Sequence, residues 1–380
     1  MRARDLGISI GRGRTGPANT ITDVGGVRVG HTTLVSGDGP LVRGSGPVRT
    51  GVTVVVPNDA IGRQPLFAGC HRLNGNGELT GLEWIRESGL LTTPIALTNT
   101  HSVGVVRDAL IAYDVERREP GDVHWSLPVV GETWDGLLND INGFHVRPEH
   151  VFAATDRATD GPLAEGNVGG GTGMVCHEFK GGIGTASRAT EHGFTVGVLV
   201  QANHGRRENL RVAGVPVGEA IPTSEVPSPY DQLEDATAPP PGSGSIIVVV
   251  ATDAPLVPNQ CDRLAQRAGL GIGRMGGFGH NSSGDLFVCF STANRGSIPT
   301  AEERGRGPLS STVERLSDAF IDELFDAVIE ATEESILNAL VAAETMSGRD
   351  GITAHALPND RLVDAMQRAG ITPGGPAAPA

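Results

Sequence analysis

The chain has 380 residues, enough for one large core or two modest ones, and its 44 acidic against 30 basic residues leave a formal net charge of −14, which argues against nucleic-acid and anionic-membrane partners. Glycine is abundant at 54 residues and aromatic side chains make up only 4%, a composition suited to tight turns and close backbone packing rather than stacking surfaces. No apolar run approaches a membrane span, the opening "MRARDLGISIGRG" lacks the apolar region of a signal peptide, and Cys70, Cys176, Cys261 and Cys289 form no CxxC pair, so a cytoplasmic protein without a disulfide framework or zinc knuckle is expected.

Along the chain, the apolar runs at 52–57 and 94–98 read as buried strands, and "GETWDGLLNDING" (131–143) as a helical or turn element. A further buried strand is expected at 194–201. Residues 222–241, with six prolines and no periodic apolar face, read as disordered. Strands follow at 245–252 and 285–291. Helical spacing marks 258–269, the long run 312–345 and 359–370, and the tail from Pro373 is loop-like. Strands interleaved with helices predict a layered α/β or α+β fold.

Several motifs carry no cofactor. "GNVGGGTGM" lacks the Gly-Lys-Ser/Thr of a phosphate-binding loop, and Lys180, the only lysine, sits elsewhere in "EFKGG". "GIGRMGGFG" follows a helix rather than a strand, which excludes a dinucleotide fingerprint, and both stretches are expected to be close-packed backbone. "GISIG" has no strand before it. The eleven histidines show no metal spacing and the carboxylates no calcium loop, so no metal is expected.

The junction "PPPGSGSIIVVV" poses the main question, since a structureless stretch ends one residue before a strand of β-branched residues. It reads as a domain linker, or as a site where the chain is cut between Gly244 and Ser245. A cut would leave Ser245 carrying both a hydroxyl nucleophile and an α-amine of pKa about 7.7–8.0 that serves as its base. Ser243 is a competing cut site, but only Ser245 abuts the strand.

Taken with "NSSGDLFVCFSTAN", "ITDVGGVRVGHTT", "LTNTHSVG", "EGNVGGGTGM", "FKGGIGTASR" and "VQANHGR", this stretch makes nearly the whole chain resemble the L-aminopeptidase/D-esterase family of self-processing serine peptidases. That family includes β-peptidyl aminopeptidases. The resemblance implies an αββα sandwich of two sheets flanked by helices and autocleavage into chains 1–244 and 245–380 that stay together as one domain, with 222–244 as the flexible linker. It also implies an acyl-enzyme on Ser245, Asn203 as oxyanion donor, and Ser283 and Asp285 as orienting groups. Two residues apart on an extended segment, Ser283 and Asp285 point the same way. Glu132 matches a carboxylate that binds the substrate's free amine, and Trp134 stands where relatives often carry a tyrosine. Asn99 is expected to line the pocket. His204 is expected to be a solvated loop residue. Substrates are then small peptides, amino-acid amides or esters, without a cofactor, and the assembly a homotetramer. The alternative keeps the fold but acts, as hydrolase or acyltransferase, on a non-peptide amide such as ω-amino-acid oligomers.

Overall fold

A computed structural model of the chain describes residues 1–121, 123–233, 242, 244–298 and 308–371. In chain order its strands are β1 (Arg28–Ser36), β2 (Val48–Val56), β3 (Leu66–Gly75), β4 (Leu90–Leu91), β5 (Ile95–Asn99), β6 (Val129–Thr133), β7 (Val175–Cys176), β8 (Phe179–Lys180), β9 (Gly182–Ala189), β10 (Thr195–Asn203), β11 (Ser245–Thr252) and β12 (Gly284–Ser291). Its helices are α1 (Leu82–Ser88), α2 (Val103–Val115), α3 (Pro148–Asp156), α4 (Val217–Ala220), α5 (Pro258–Arg274), α6 (Asp322–Ala342) and α7 (Asn359–Arg368). Two short strands, β13 (Met346–Ser347) and β14 (Thr353–Ala354), pair with each other, as do β7 and β8; of the two larger sheets one has the order β1-β2-β5-β6 and the other β4-β3-β12-β11-β10-β9.

The two sheets face each other across Val55, Leu97, Val129, Ile247, Val249 and Val288. Helices α2 and α3 cover the outer face of the smaller sheet through Val106 and Val151, which pack on Val52, Val54 and Ala96. Helices α5 and α6 cover the larger sheet through Leu264 and Leu337, over Val248, Val250 and Phe287. The result is helix, sheet, sheet, helix, the αββα order expected. Strand β11 is buried on both faces, which is why its residues after Ser245 are apolar without alternation. It runs parallel to β12, and the crossover between them is α5. Strands β5 and β6 are likewise parallel, with α2 between them, so Asn99 and Thr133 end at the same rim.

Three expectations need correction. Only Asp322–Ala342 of the run 312–345 is α-helical, because the polar residues before Ser317 offer no face to bury. "GETWDGLLNDING" begins as the end of β6, where Gly131 packs on Ile247, and turns only afterwards. The stretch 222–241 is ordered in its first half: Ser228 is fully buried and caps a single 3-10 turn, Pro229–Gln232. Residues 234–241 and the tail beyond 371 lie outside the described residues. Among the described residues, no helix is long and apolar enough to cross a membrane.

Candidate active site

Ser245 is the first residue of β11, in the middle of the larger sheet, and is 5% exposed. It sits opposite Asn203, the last residue of β10, in the antiparallel register. Its Oγ accepts a hydrogen bond of 3.0 Å from the backbone N–H of Gly284, at the start of β12. That donor has no side-chain signature, and sequence reasoning missed it. Gly244 lies directly before, in a gap without room for a side chain: a Cβ there would fall 1.9 Å from the Asn203 carbonyl oxygen. Gly244→Ala is therefore expected to force β10 and β11 apart at this end. Autocleavage, followed by intact mass, should slow by at least tenfold; cleavage at the normal rate would show that the rim adapts.

The Asn203 side chain is locked by two backbone groups. Its Oδ1 accepts from Val175 N–H at 2.7 Å, and its Nδ2 donates to the Trp134 carbonyl at 3.0 Å. A donor on one side and an acceptor on the other assign the amide without ambiguity. The second Nδ2 hydrogen is left beside the junction, since the position of a Cβ on Gly244 is 3.2 Å from Nδ2. A fixed amide donor beside the peptide bond that precedes a serine hydroxyl is an arrangement able to serve as an oxyanion donor.

Ser283 and Asp285 stand at the same rim but bond to each other, Ser283 Oγ donating to Asp285 Oδ1 at 2.6 Å. The expected contact with Ser245 Oγ is made by Gly284 between them instead. The residue two further along, Phe287, packs toward the helices, and Asp285 shares that face, whereas Ser245 shares the inter-sheet face of Ile247. Burial pushes the Asp285 carboxyl up to about 6, against the stabilising bonds from Ser283 and the Ile246 N–H. Among the described residues its Oδ2 has no partner.

Glu132 lies on β6, 3% exposed. Its Oε1 accepts from the Glu78 N–H at 2.9 Å and its Oε2 from the Thr100 hydroxyl. Burial raises its pKa above the ordinary glutamate range despite these two donors. Gly77 connects it to the serine side of the site, because a Cβ there would lie 3.0 Å from Glu132 Oε1 and 3.1 Å from the Gly284 Cα. A cavity of about 470 Å³ opens along the same segment, between Gly77, Glu78, Thr80 and Leu286. Trp134 takes part through its backbone carbonyl, while its ring packs beside Leu137, Leu138 and Ile352. Asn99 is fixed behind the rim: it accepts from the His101 N–H and donates to Thr50 Oγ1. It supports the buried Asp135, whose carboxyl burial raises to about 7.

His204 departs from expectation. It is 4% exposed, with its ring 5.3 Å from that of His177 and its Nδ1 3.9 Å from Cys176 Sγ. Strand β10 runs one residue past Gln201–Ala202 into the core, carrying His204 inside with it. Cys176, His177 and His204 are the one group among the described residues whose donor atoms, all within 4.8 Å, could hold a metal. Burial pushes the thiol up to about 12 and His177 down to about 4. The charges of Lys180 near Cys176 and Arg207 near His177 oppose a cation there.

The peptidase family S58 model matches residues 19–354. The β-peptidyl aminopeptidase BapA of Sphingosinicella microcystinivorans is 52% identical over 95% of this chain and 90% of its own length. The corresponding protein of Sphingosinicella xenopeptidilytica is 44% identical over 96% and 91%. Among solved structures, a Burkholderia sp. β-aminopeptidase superposes with a TM-score of 0.89 at 54% identity, covering 97% of this chain and 99% of that one. The L-aminopeptidase D-Ala-esterase/amidase of Ochrobactrum anthropi, described as a prototype for the serine aminopeptidases and a variant of the Ntn hydrolase fold, gives 0.88 at 44% identity with the same coverage.

Proposed function

The chain belongs to peptidase family S58, and on that premise we propose that Ser245 is its nucleophile, freed when the chain cuts itself between Gly244 and Ser245. The protein is a serine-type aminopeptidase with an N-terminal-nucleophile fold. The observation that carries the assignment of residues is the locked Asn203 amide, whose spare N–H lies beside the Gly244–Ser245 junction. In the mature enzyme the Ser245 α-amine takes the hydroxyl proton as Oγ attacks the substrate carbonyl. Asn203 Nδ2–H stabilises the oxyanion, the leaving amine departs with the proton, and water then releases the acyl group from Oγ. Ser283 and Asp285 orient the α-amine. Before the cut there is no α-amine, and the Asp285 side chain lies on the opposite face of the sheet from the Ser245 hydroxyl, so a water assists the first attack, on the Gly244 carbonyl.

The two fragments stay together in this reading because their strands share a sheet: β11 and β12 sit between β10 and β3. Separating them would break two ladders and expose both faces of β11. Glu132 binds the substrate ammonium, since an exopeptidase must recognise a free amine. The relatives named for β-peptides, at 52% and 44% identity, favour substrates with an N-terminal β-amino residue over non-peptide amides. A cytoplasmic homotetramer completes the proposal.

Intact mass under denaturing conditions tests it first: two fragments meeting at Gly244/Ser245 are expected, and one uncut chain would remove the base from the mechanism. Rates on paired p-nitroanilides come next. A β-amino anilide is expected to turn over faster than its α-amino counterpart, with the N-acetylated forms inert. Faster α-amino turnover would overturn the β preference alone.

A further inference from the structure

Lys180 is the only lysine in the sequence, and it is fully buried. Among the described residues its ammonium makes no ion pair. Its three hydrogens go instead to three backbone carbonyls: Met174 at 2.8 Å, Gly181 at 2.9 Å and Gly171 at 3.3 Å. Burying an unpaired ammonium is costly, and burial lowers its pKa to about 7. A side chain that only filled space would not need three polar contacts made at that cost.

The three carbonyls show what the charge holds. They bracket the hairpin of β7 and β8, whose Gly181 N–H also returns to the Met174 carbonyl at 2.9 Å. The hairpin presses on the end of β10, where a Cβ on Gly181 would lie 2.5 Å from the Ala202 carbonyl oxygen. Immediately after Met174 comes Val175, whose N–H holds Asn203 Oδ1. An Asn203 amide turned by half a rotation would present its oxygen, not its N–H, to a developing oxyanion. The group preventing this is a backbone donor, and its position depends on the carbonyl Lys180 grips one residue earlier.

We infer that Lys180 is a positioning residue for oxyanion stabilisation, clamping the Gly171–Gly181 loop so that Val175 fixes the orientation of the Asn203 amide. It touches neither substrate nor nucleophile. The inference rests on the reading of Asn203 as oxyanion donor, and the experiment separates the two.

Turnover of an amide substrate, normalised to the cut fraction, is measured for Lys180→Met, Asn203→Ala and the double variant. Lys180→Met is expected to lower kcat by about ten- to hundredfold, in line with the cost of a misplaced catalytic group, with KM within twofold of wild type. Asn203→Ala should lower kcat by about a hundred- to a thousandfold, and adding Lys180→Met should then cost less than threefold more. If Lys180→Met loses thermal stability but keeps kcat within twofold, the lysine is merely structural and the inference fails. If Asn203→Ala keeps wild-type kcat, the oxyanion reading itself is wrong and the inference falls with it. Should Lys180→Met not fold, wild-type enzyme labelled with [15N]lysine gives a single side-chain ammonium resonance. Titration with an aminoalkyl boronic acid, which places a tetrahedral oxyanion on Ser245, is expected to shift it. An unmoved resonance would overturn the inference.

Discussion

Ser245→Ala is expected to leave the 380-residue chain in one piece and to abolish turnover, while the wild-type protein should separate into residues 1–244 and 245–380 under denaturing conditions. Both effects come from the same atom. In the proposed mechanism the hydroxyl lost is the one that attacks the Gly244 carbonyl in the precursor and the substrate carbonyl afterwards. Removing the nucleophile of a serine hydrolase costs on the order of 10⁶ in kcat, so no measurable rate should remain. The fold should survive, because the substitution removes one hydroxyl and leaves the Gly284 N–H without its acceptor, a cost of about 1–3 kcal/mol. A folded, uncut and inactive variant is therefore expected, with a melting temperature within a few degrees of an uncut precursor. Cleavage that persisted in Ser245→Ala would move the nucleophile elsewhere, with Ser243 the first place to look.

Glu132→Gln should separate activity from stability. In the proposed mechanism its carboxylate is the buried charge that pairs with the substrate ammonium, and breaking such a pair from one side costs about 3–5 kcal/mol, so kcat/KM for amine-bearing substrates should fall by about two to almost four orders of magnitude. Glutamine can still accept from the Glu78 N–H and bond Thr100, so the rim is preserved. The pH dependence has a definite sign. The folded-state pKa of Glu132 lies above its unfolded value, so the native state binds the extra proton between the two, and this group's contribution to stability falls as pH rises through that window. At neutral pH the variant, which has no charge to bury, should melt no lower than wild type. Activity runs the other way: the acid limb of kcat/KM reports the free enzyme and carries both groups that must lose a proton, the Ser245 α-amine and Glu132, the latter titrating above the ordinary glutamate range. That limb should shift in Glu132→Gln. A variant with unchanged kcat/KM would remove Glu132 from substrate recognition.

The core strands were legible because both faces of each are covered. The run at 245–252 matches β11 to the residue, and 285–291 misses β12 by one. Strands β1, β3 and β9 were not seen. Their exposed or glycine-rich positions, such as Thr33, Arg72 and Gly184, break the apolar run, and pairing with neighbours supplies what composition does not. At the site, residues with a chemical side chain could be named in advance, but the groups that orient them could not. The Gly284 N–H, the Val175 N–H and the Trp134 carbonyl are backbone atoms, and any residue supplies those. Thr100 was one residue away in "LTNTHSVG" and went unnoticed because its role depends on the parallel register that sets Thr98 beside Glu132. His204 was misread for a related reason, since a polar residue after a strand usually marks the surface, whereas here the strand ends inside.

The solitary, fully buried lysine has a practical corollary for labelling. Amine-reactive reagents ordinarily decorate a protein of this size at many lysines, but this sequence offers them none on its surface. Before maturation the amino terminus is the single accessible primary amine. The proposed maturation would add one more, on Ser245, which is 5% exposed and so within reach of small acylating or aldehyde probes rather than bulky ones. A compact amine-directed dye would thus count cut molecules in a mixture, and attachment to a bulky aldehyde support would hold the enzyme by its amino terminus with the pocket untouched.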